Sequence, residues 1–384
     1  MMFDVAFGVP WWIVAWVGAY FALFWPLLWG TRRLRAQTLA ARPLDDAAGM
    51  RVSVVMSARN EARDLPRCLA ALLALDYPRE LLEIILVDDL SDDATGAMMD
   101  AAAAAHSNVR ALHTRDLPDN GLQAKARGLA HGMTHATGDW VLITDADAAV
   151  PRGWVRHLLG GVTPQTGMVG GAIVVEVDRW WSVAERMVWA IVQLFPLGLA
   201  GWGRPMVCVG PNMGIRRDTY HRAGGLERAP FRVAEDLALF LMVKRSDQHA
   251  LMRYSADTSV TVRAVPTAQH LFSQQRRWIA GGAEQGWEYG VGVWLTVLWG
   301  LGVVAYVLTG WQLSWPLWTL FVAGKLATEW WMLRAQQRCL SLAHHVRYLG
   351  ALQLCQLVTL VFLPTSFLIS RKVRWLGDGY QVKY

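Results

Sequence analysis

Between Arg51 and about Val265 short apolar runs alternate with stretches of helical periodicity, which predicts βαβ units around a largely parallel sheet. Val52–Met56 reads as the first strand, with Leu65, Leu69, Leu72 and Leu73 repeating at helical spacing behind it. Leu82–Val87 predicts a second strand. Asp93–His106, nearly all Ala and Met after its acidic start, predicts a helix with Ser91 or Asp92 as N-cap. A third strand, Trp140–Thr144, stops at Asp145, after which Gly170-Gly171, Pro211-Asn212 and Gly224-Gly225 mark turns between strands that are harder to place. No internal repeat is visible.

The flanks are more apolar. Trp11–Gly30 is followed at once by Thr31-Arg32-Arg33-Leu34-Arg35, so it predicts a membrane span whose carboxyl end is cytosolic. The basic residues follow the run and none precedes it, the reverse of a cleaved signal peptide. Val291–Trp311, Trp315–Leu333 and Tyr348–Ile369 each approach the roughly 20 residues that a spanning helix needs. Trp189–Trp202, broken by Pro196, reads as an in-plane helix or buried loop, and Gln269–Tyr289 as an amphipathic helix at the membrane surface.

The organisation expected is therefore a transmembrane helix over residues 1–30 and a linker over 31–50. A cytosolic catalytic domain follows over 51–268 and an interface helix over 269–289. A membrane region of two or three spans occupies 290–371 and a tail 372–384. Four spans would leave Arg371–Arg374 outside, against the positive-inside tendency, unless the last run, interrupted by Pro364, is re-entrant or interfacial. A multi-pass protein of the cell (inner) membrane follows.

Composition strengthens this picture. Of 384 residues 54% are hydrophobic, and many of the 21 Trp stand at the ends of the apolar runs, where indole rings favour the headgroup layer. The net charge of +6 is dispersed, with clusters beside apolar segments, so anionic lipid rather than nucleic acid is the expected partner. Cys68, Cys208, Cys339 and Cys355 form no CxxC or zinc spacing and fit a reducing compartment.

Candidate chemistry lies where the strands end, at the edge where open α/β sheets bind ligands. In Asp145-Ala146-Asp147 two carboxylates at i and i+2 can share a divalent cation, Mn2+ or Mg2+. Asp88 and Asp89 end the second strand and can accept hydrogen bonds from a nucleobase or ribose, while Asp92 and Asp93 suit the following helix dipole. Lys125 can meet a diphosphate as a point charge or lie on a solvated helix face. Asp236 of Glu235-Asp236 starts a helical run and is a candidate general base or simply a capping acid. Gln274, Arg277 and Trp278 sit close together on a helix, offering a planar phosphate grip and an aromatic platform, or only a basic membrane-surface helix. Lys325 and Glu329, at i and i+4, read as a structural ion pair with a functional flag if intramembrane.

Taken in order, these motifs resemble the membrane-bound family-2 glycosyltransferases, in particular the ceramide glucosyltransferase-like and carotenoid glycosyltransferase-like members. The resemblance runs from Arg51 to Trp278. It implies a GT-A fold and inverting transfer of a hexose such as glucose, from a nucleoside diphosphate such as UDP, to a hydroxyl of a membrane lipid (sphingolipid, glycerolipid or isoprenoid). It places Asp89 at the nucleotide, Asp145 and Asp147 at donor and metal, Asp236 as base, and Gln274, Arg277 and Trp278 at the diphosphate and acceptor side. The tail from Val373 to Tyr380 is similar to the family's terminal motif, and Cys208–Gly214 to its segment near the acceptor, with Asn212 as a further candidate. Gln-Ala-Lys replaces the family's Gly-Lys before the DxD. Processive polysaccharide synthases share the motifs; nucleotidyl transferases, two-carboxylate hydrolases and an inactive nucleotide-sugar-binding scaffold are the rivals of other classes.

Overall fold

The computed structural model describes residues 11–46, 49–229, 235–283, 300–312, 314–343, 345–358, 372–375 and 378–381. In chain order α1 (Trp11–Ala40) precedes β1 (Val52–Ala58), α2 (Leu65–Leu73), β2 (Leu82–Asp88), α3 (Thr95–Ala105), β3 (Val109–His113), α4 (Ala124–His135) and β4 (Trp140–Thr144). Next come β5 (Ala148–Ala149), α5 (Trp154–Leu158), β6 (Thr166–Gly170), β7 (Ile173–Val175), α6 (Trp180–Val192), α7 (Leu194–Gly201), β8 (Met213–Arg216), α8 (Arg217–Arg222) and α9 (Gly225–Arg228). The chain continues through α10 (Glu235–Lys244), β9 (His249–Met252), β10 (Val260–Val262) and α11 (Ala268–Ala283). Helical residues 300–312 (α12), α13 (Trp315–Cys339), α14 (Leu349–Leu357) and the antiparallel pair β11 (Lys372–Trp375) and β12 (Asp378–Gln381) follow.

Two compact units result. One joins Arg33–Glu176 to Leu199–Ala264; the other joins Met1–Arg32, Val177–Gly198 and Val265–Tyr384. The single block expected over 51–268 is thus interrupted, because residues 177–198 group with the terminal regions.

The first unit holds a seven-stranded sheet of order β3-β2-β1-β4-β8-β6-β9. β1 pairs in parallel with β2 and β4, β2 with β3, and β6 with β9, while β8 runs antiparallel to both β4 and β6. All of β1 and β4 is buried, which is why they read as largely apolar runs with only Ser or Thr between: helices cover both faces of such strands. β3 escaped the sequence because it lies at the edge, with only Val109 of Val-Arg-Ala-Leu-His buried. β1 lies between β2 and β4, so the chain order reverses there and opens a crevice at the carboxyl ends. A second sheet, β5-β10-β7, begins just past the Asp145 turn.

α3 starts later than expected. Thr95 is its first residue, and Asp93, rather than Ser91 or Asp92, braces the start by accepting from Thr95 N at 2.9 Å.

The other unit is helical. Val17, Tyr20, Tyr306 and Phe321 form its buried aromatic centre. Among the described residues two helices are long and apolar enough to cross a membrane, Val14–Ala40 and Trp180–Gly201, and the second is more than half buried. The segment expected as a loop or in-plane helix from Trp189 is therefore the second half of a longer helical stretch. Pro196 sits in the first turn of α7, where its missing N–H costs little. α13 forms where Trp315–Leu333 predicted a span, but carries Lys325 and Glu329 buried in its middle. Lys325 Nζ donates to Glu329 (2.6 Å), Gln353 (2.5 Å) and Gln356 (2.9 Å), and Tyr20 OH donates to Glu329 at 3.3 Å. Residues 284–299 and 359–371, parts of three expected segments, lie outside the described residues.

Candidate functional site

The strand ends and helix starts of the sheet unit bring four of the candidate residues into one crevice. Lys125, in the first turn of α4, places Nζ 2.5 Å from Asp145 Oδ1 at the end of β4 and 2.9 Å from Glu235 Oε1 at the start of α10. Burial alone would lower the lysine pKa, but Asp145 and Glu235 outweigh it and hold the pKa above its usual value. The solvated-face reading of Lys125 is thereby excluded.

Asp236 adjoins this bridge. Its Oδ2 accepts from Gly210 N at 3.0 Å and its Oδ1 from Leu237 N at 2.7 Å. Burial first, then repulsion from Glu235, push its pKa up to about 6, against the pull of Lys125 and the two backbone donors. Gly210 is where the charges converge: a Cβ there would stand 3.2 Å from Lys125 Nζ, 3.6 Å from Glu235 Oε1 and 3.8 Å from Asp236 Oδ2.

Asp147, two residues beyond Asp145, is held well above the usual carboxylate range by burial and then by Asp145 and Glu61. Glu61, on the β1–α2 loop, is pushed up to about 7 by burial and by Asp64, Asp145 and Asp93. The Oδ1 of Asp147 is buried without a hydrogen-bond partner among the described residues. Crowded anions with an unpartnered oxygen fit a hard divalent cation. No group of three His, Cys, Asp or Glu is arranged for a metal among the described residues. Asp145 and Asp147 would hold such an ion, with phosphate and water completing its shell.

Asp88 and Asp89 are 5% and 2% exposed and are engaged inside the fold. Asp88 accepts from Ser91 N at 3.2 Å and faces His113 Nδ1 at 3.1 Å. His113 Nε2 lies 2.9 Å from Asp100 Oδ1, and Asp100 first, then Asp88, keep the imidazole pKa above its ordinary value despite burial. Asp88 Oδ1 thus braces the loop after β2, and Oδ2 the edge strand β3. Asp89 Oδ1 accepts from Arg127 Nε at 2.7 Å and Thr114 Oγ1 at 3.0 Å.

The loops behind these acids are cross-braced. Asn60 N donates to Ser91 Oγ (3.0 Å), Asp92 N to Asn60 Oδ1 (2.8 Å) and Glu61 N to Thr95 Oγ1 (2.8 Å). Asn60 and Leu90 adopt positive φ (58° and 62°), strain that this bracing sustains.

Gln274, Arg277 and Trp278 fall in the helical unit, on α11. The Gln274 side chain hydrogen-bonds Glu185 of α6, which also accepts from Val265 N at 2.9 Å. The side chains of Arg277 and Trp278 lie outside the described residues, as do those of the Val373–Tyr380 tail. Asn212 is structural: fully buried, it accepts from Trp154 Nε1 (2.9 Å) and donates to Ala172 O (2.7 Å) and Thr258 O (2.8 Å). The four cysteines are buried and unpaired with one another.

Sequence reasoning passed over Glu235, Gly210 and Arg127. Arg127 carried a signal, two residues from Lys125 on one short helix, as did Gly210, which lies in the Cys208–Gly214 segment, and Glu235, beside Asp236.

Comparison with known proteins gives the family and the fold. The model of glycosyl transferase family 2 matches residues 53–224, and that of glycosyl transferase family group 2 matches residues 140–366, more than half of the chain. The chain is 26% identical over 240 residues to "Probable glycosyltransferase YdaM" of Bacillus subtilis (strain 168), covering 60% of this chain and 55% of that protein. It is 25% identical over 241 residues to a beta-monoglucosyldiacylglycerol synthase of Synechocystis, covering 62% and 49%. The chain thus spans about half the length of these relatives. A mannosyltransferase of Pyrobaculum calidifontis, solved with GDP-Man and Mn2+, superposes with a TM-score of 0.53 at 20% identity over 89% of this chain and 98% of that one, and shares its GT-A fold. On these matches the chain belongs to glycosyltransferase family 2.

Proposed function

We propose that this protein transfers a hexose from a nucleoside diphosphate to a hydroxyl of a membrane lipid, by one in-line displacement with inversion. The observation that carries this reading is the Lys125 bridge, which joins the Asp145 turn to the Glu235-Asp236 helix start beside a bare glycine. Asp236 takes the proton from the acceptor hydroxyl while that oxygen bonds to the anomeric carbon and the bond to the diphosphate breaks. Its raised pKa suits a base working near neutrality. Lys125 meets the charge of the departing diphosphate. When held by Asp145 and Asp147, Mn2+ or Mg2+ adds further charge for the same oxygens. Asp89 orients the nucleoside, and Gln274, Arg277 and Trp278 act on the diphosphate and acceptor side.

Several observations support the lipid acceptor. Among the described residues two helices are apolar enough to span a bilayer, one of them carrying Arg32, Arg33 and Arg35 in its last third, and one relative is named for diacylglycerol. A multi-pass protein of the cell membrane with its sheet unit in the cytosol follows. UDP-glucose is the first donor to try; GDP-mannose is the second, after the ligand of the Pyrobaculum structure.

The test is a panel of nucleotide sugars with membrane lipid extract and Mn2+ or Mg2+, read by mass spectrometry for wild type and Asp236→Asn. A new hexosyl-lipid made by wild type alone supports the reading. Long insoluble polymer replaces it with a processive synthase, and failure to bind any nucleotide sugar with metal present replaces it with a scaffold.

A further inference from the structure

The unpartnered Oδ1 of Asp147 raises the question of what aims that carboxylate, since no hydrogen bond among the described residues does so. The backbone of the Asp-Ala-Asp turn must do it instead, and both of its acidic residues are held by their carbonyls. Asp145 O accepts from Ala148 N at 3.1 Å and from Cys68 Sγ at 3.3 Å. Asp147 O accepts from Arg263 N at 3.1 Å and from Arg67 Nη1 at 3.4 Å. Arg67 and Cys68 are neighbours on α2, so one helix grips both ends of the turn.

Arg67 is itself fixed at three points. Its Nη2 lies 2.7 Å from Glu176 Oε1, just past β7, and 3.5 Å from Thr261 O in β10. Glu176 N in turn donates to Val262 O at 2.9 Å, which ties that carboxylate to the second sheet. A planar guanidinium can span three acceptors in this way; a lysine ammonium on a flexible stem cannot hold them in one geometry. We propose that Arg67, anchored by Glu176, is a positioning residue that orients Asp145 and Asp147 for the divalent cation. The proposal rests on the metal-dependent reading above.

The experiment titrates Mn2+ into the full-length, detergent-purified protein, with and without UDP, and follows free Mn2+ by electron paramagnetic resonance. UDP binding in EDTA is measured alongside. Outer-sphere partners of metal ligands contribute roughly 10- to 100-fold to affinity. Arg67→Ala should weaken Mn2+ binding by about 10-fold, Arg67→Lys by less, and Glu176→Gln by a few-fold, all leaving metal-free UDP binding within about twofold. Glu176 is 45% exposed, so Glu176→Gln threatens the fold least and decides the matter alone if Arg67→Ala does not fold. Wild-type Mn2+ affinity in the foldable variants overturns the clamp alone. A wild-type protein that binds no Mn2+ even with UDP overturns the metal reading and the clamp with it.

Discussion

Removing Lys125 should move the pH dependence of transfer, by an amount that the geometry bounds. Lys125 Nζ and Asp236 Oδ2 both lie within 3.8 Å of the point where a Gly210 Cβ would stand, so they are no more than about 7 Å apart. Two unit charges at about 7 Å interact by about 2.4 kcal/mol at an effective dielectric constant of about 20. That is nearly two pKa units. Asp236 works as base only when ionised, so wild-type kcat/KM should fall as pH drops through about 6. In Lys125→Met the lost attraction raises the carboxyl pKa, and the fall should begin above about pH 7. Glu235→Gln removes repulsion instead and should move the limb below the wild-type value. The assay is release of nucleoside diphosphate at varied donor and saturating acceptor between pH 5 and 9. Limbs that stay together, or a Lys125→Met limb that moves toward acid, would refute the assignment of Asp236 and its coupling to Lys125.

Other outcomes follow from the same contacts. Asp236→Asn should lower turnover by about 10²- to 10⁴-fold. It should also stabilise the protein, because keeping this carboxylate ionised about two units above its ordinary pKa of 3.8 costs about 3 kcal/mol, less about 1 kcal/mol for a lost hydrogen bond. That gain is full above pH 6 and fades as pH falls from 6 toward 3.8, where wild type takes up the proton; denaturation at pH 8 and pH 5 reads the difference. Asn212→Ala leaves an indole N–H and Thr258 O unpaired and removes one of the two donors to Ala172 O, whose bond from Val260 N remains; it should cost about 2–5 kcal/mol in urea unfolding of the sheet unit, with an unchanged KM in the surviving fraction. Lys325→Met abandons a buried Glu329 and should cost about 3–5 kcal/mol of thermal stability in detergent, and Lys325→Met with Glu329→Leu should restore most of it.

What could be read in the chain was what a buried parallel sheet imposes locally. β1, β2 and β4 announce themselves because both faces are covered, and the acids are conspicuous because they interrupt those runs. β3 and β9 could not be read, since edge strands with polar exposed positions have no such signature. At the site, Asp145, Asp147 and Asp236 stood out by type and place, and Lys125 by its position between the Asp88–Asp93 and Asp145–Asp147 motifs. What each acid meets depends on tertiary partners: His113 faces Asp88 and Thr114 bonds Asp89, each 25 residues away, and Arg127 adds a cation to Asp89 alone. Arg67 was invisible for the same reason, because its three acceptors come from strands and loops 80 to 194 residues distant.

The first turn of α4 sends Lys125 to Asp145 and Arg127 to Asp89. Two residues of helix advance only about 3 Å along the axis but turn by about 200°, so this one turn acts as a ruler with its two ends pointing apart. The gap between the Asp89 end and the Asp145 end of the crevice is therefore measured by a single helical turn. A residue inserted between Lys125 and Arg127 would turn one cation by about 100° relative to the other, so Asp145 and Asp89 could not both keep their partners. Any change in the spacing of these two ion pairs must come from outside α4, in the strand ends it spans.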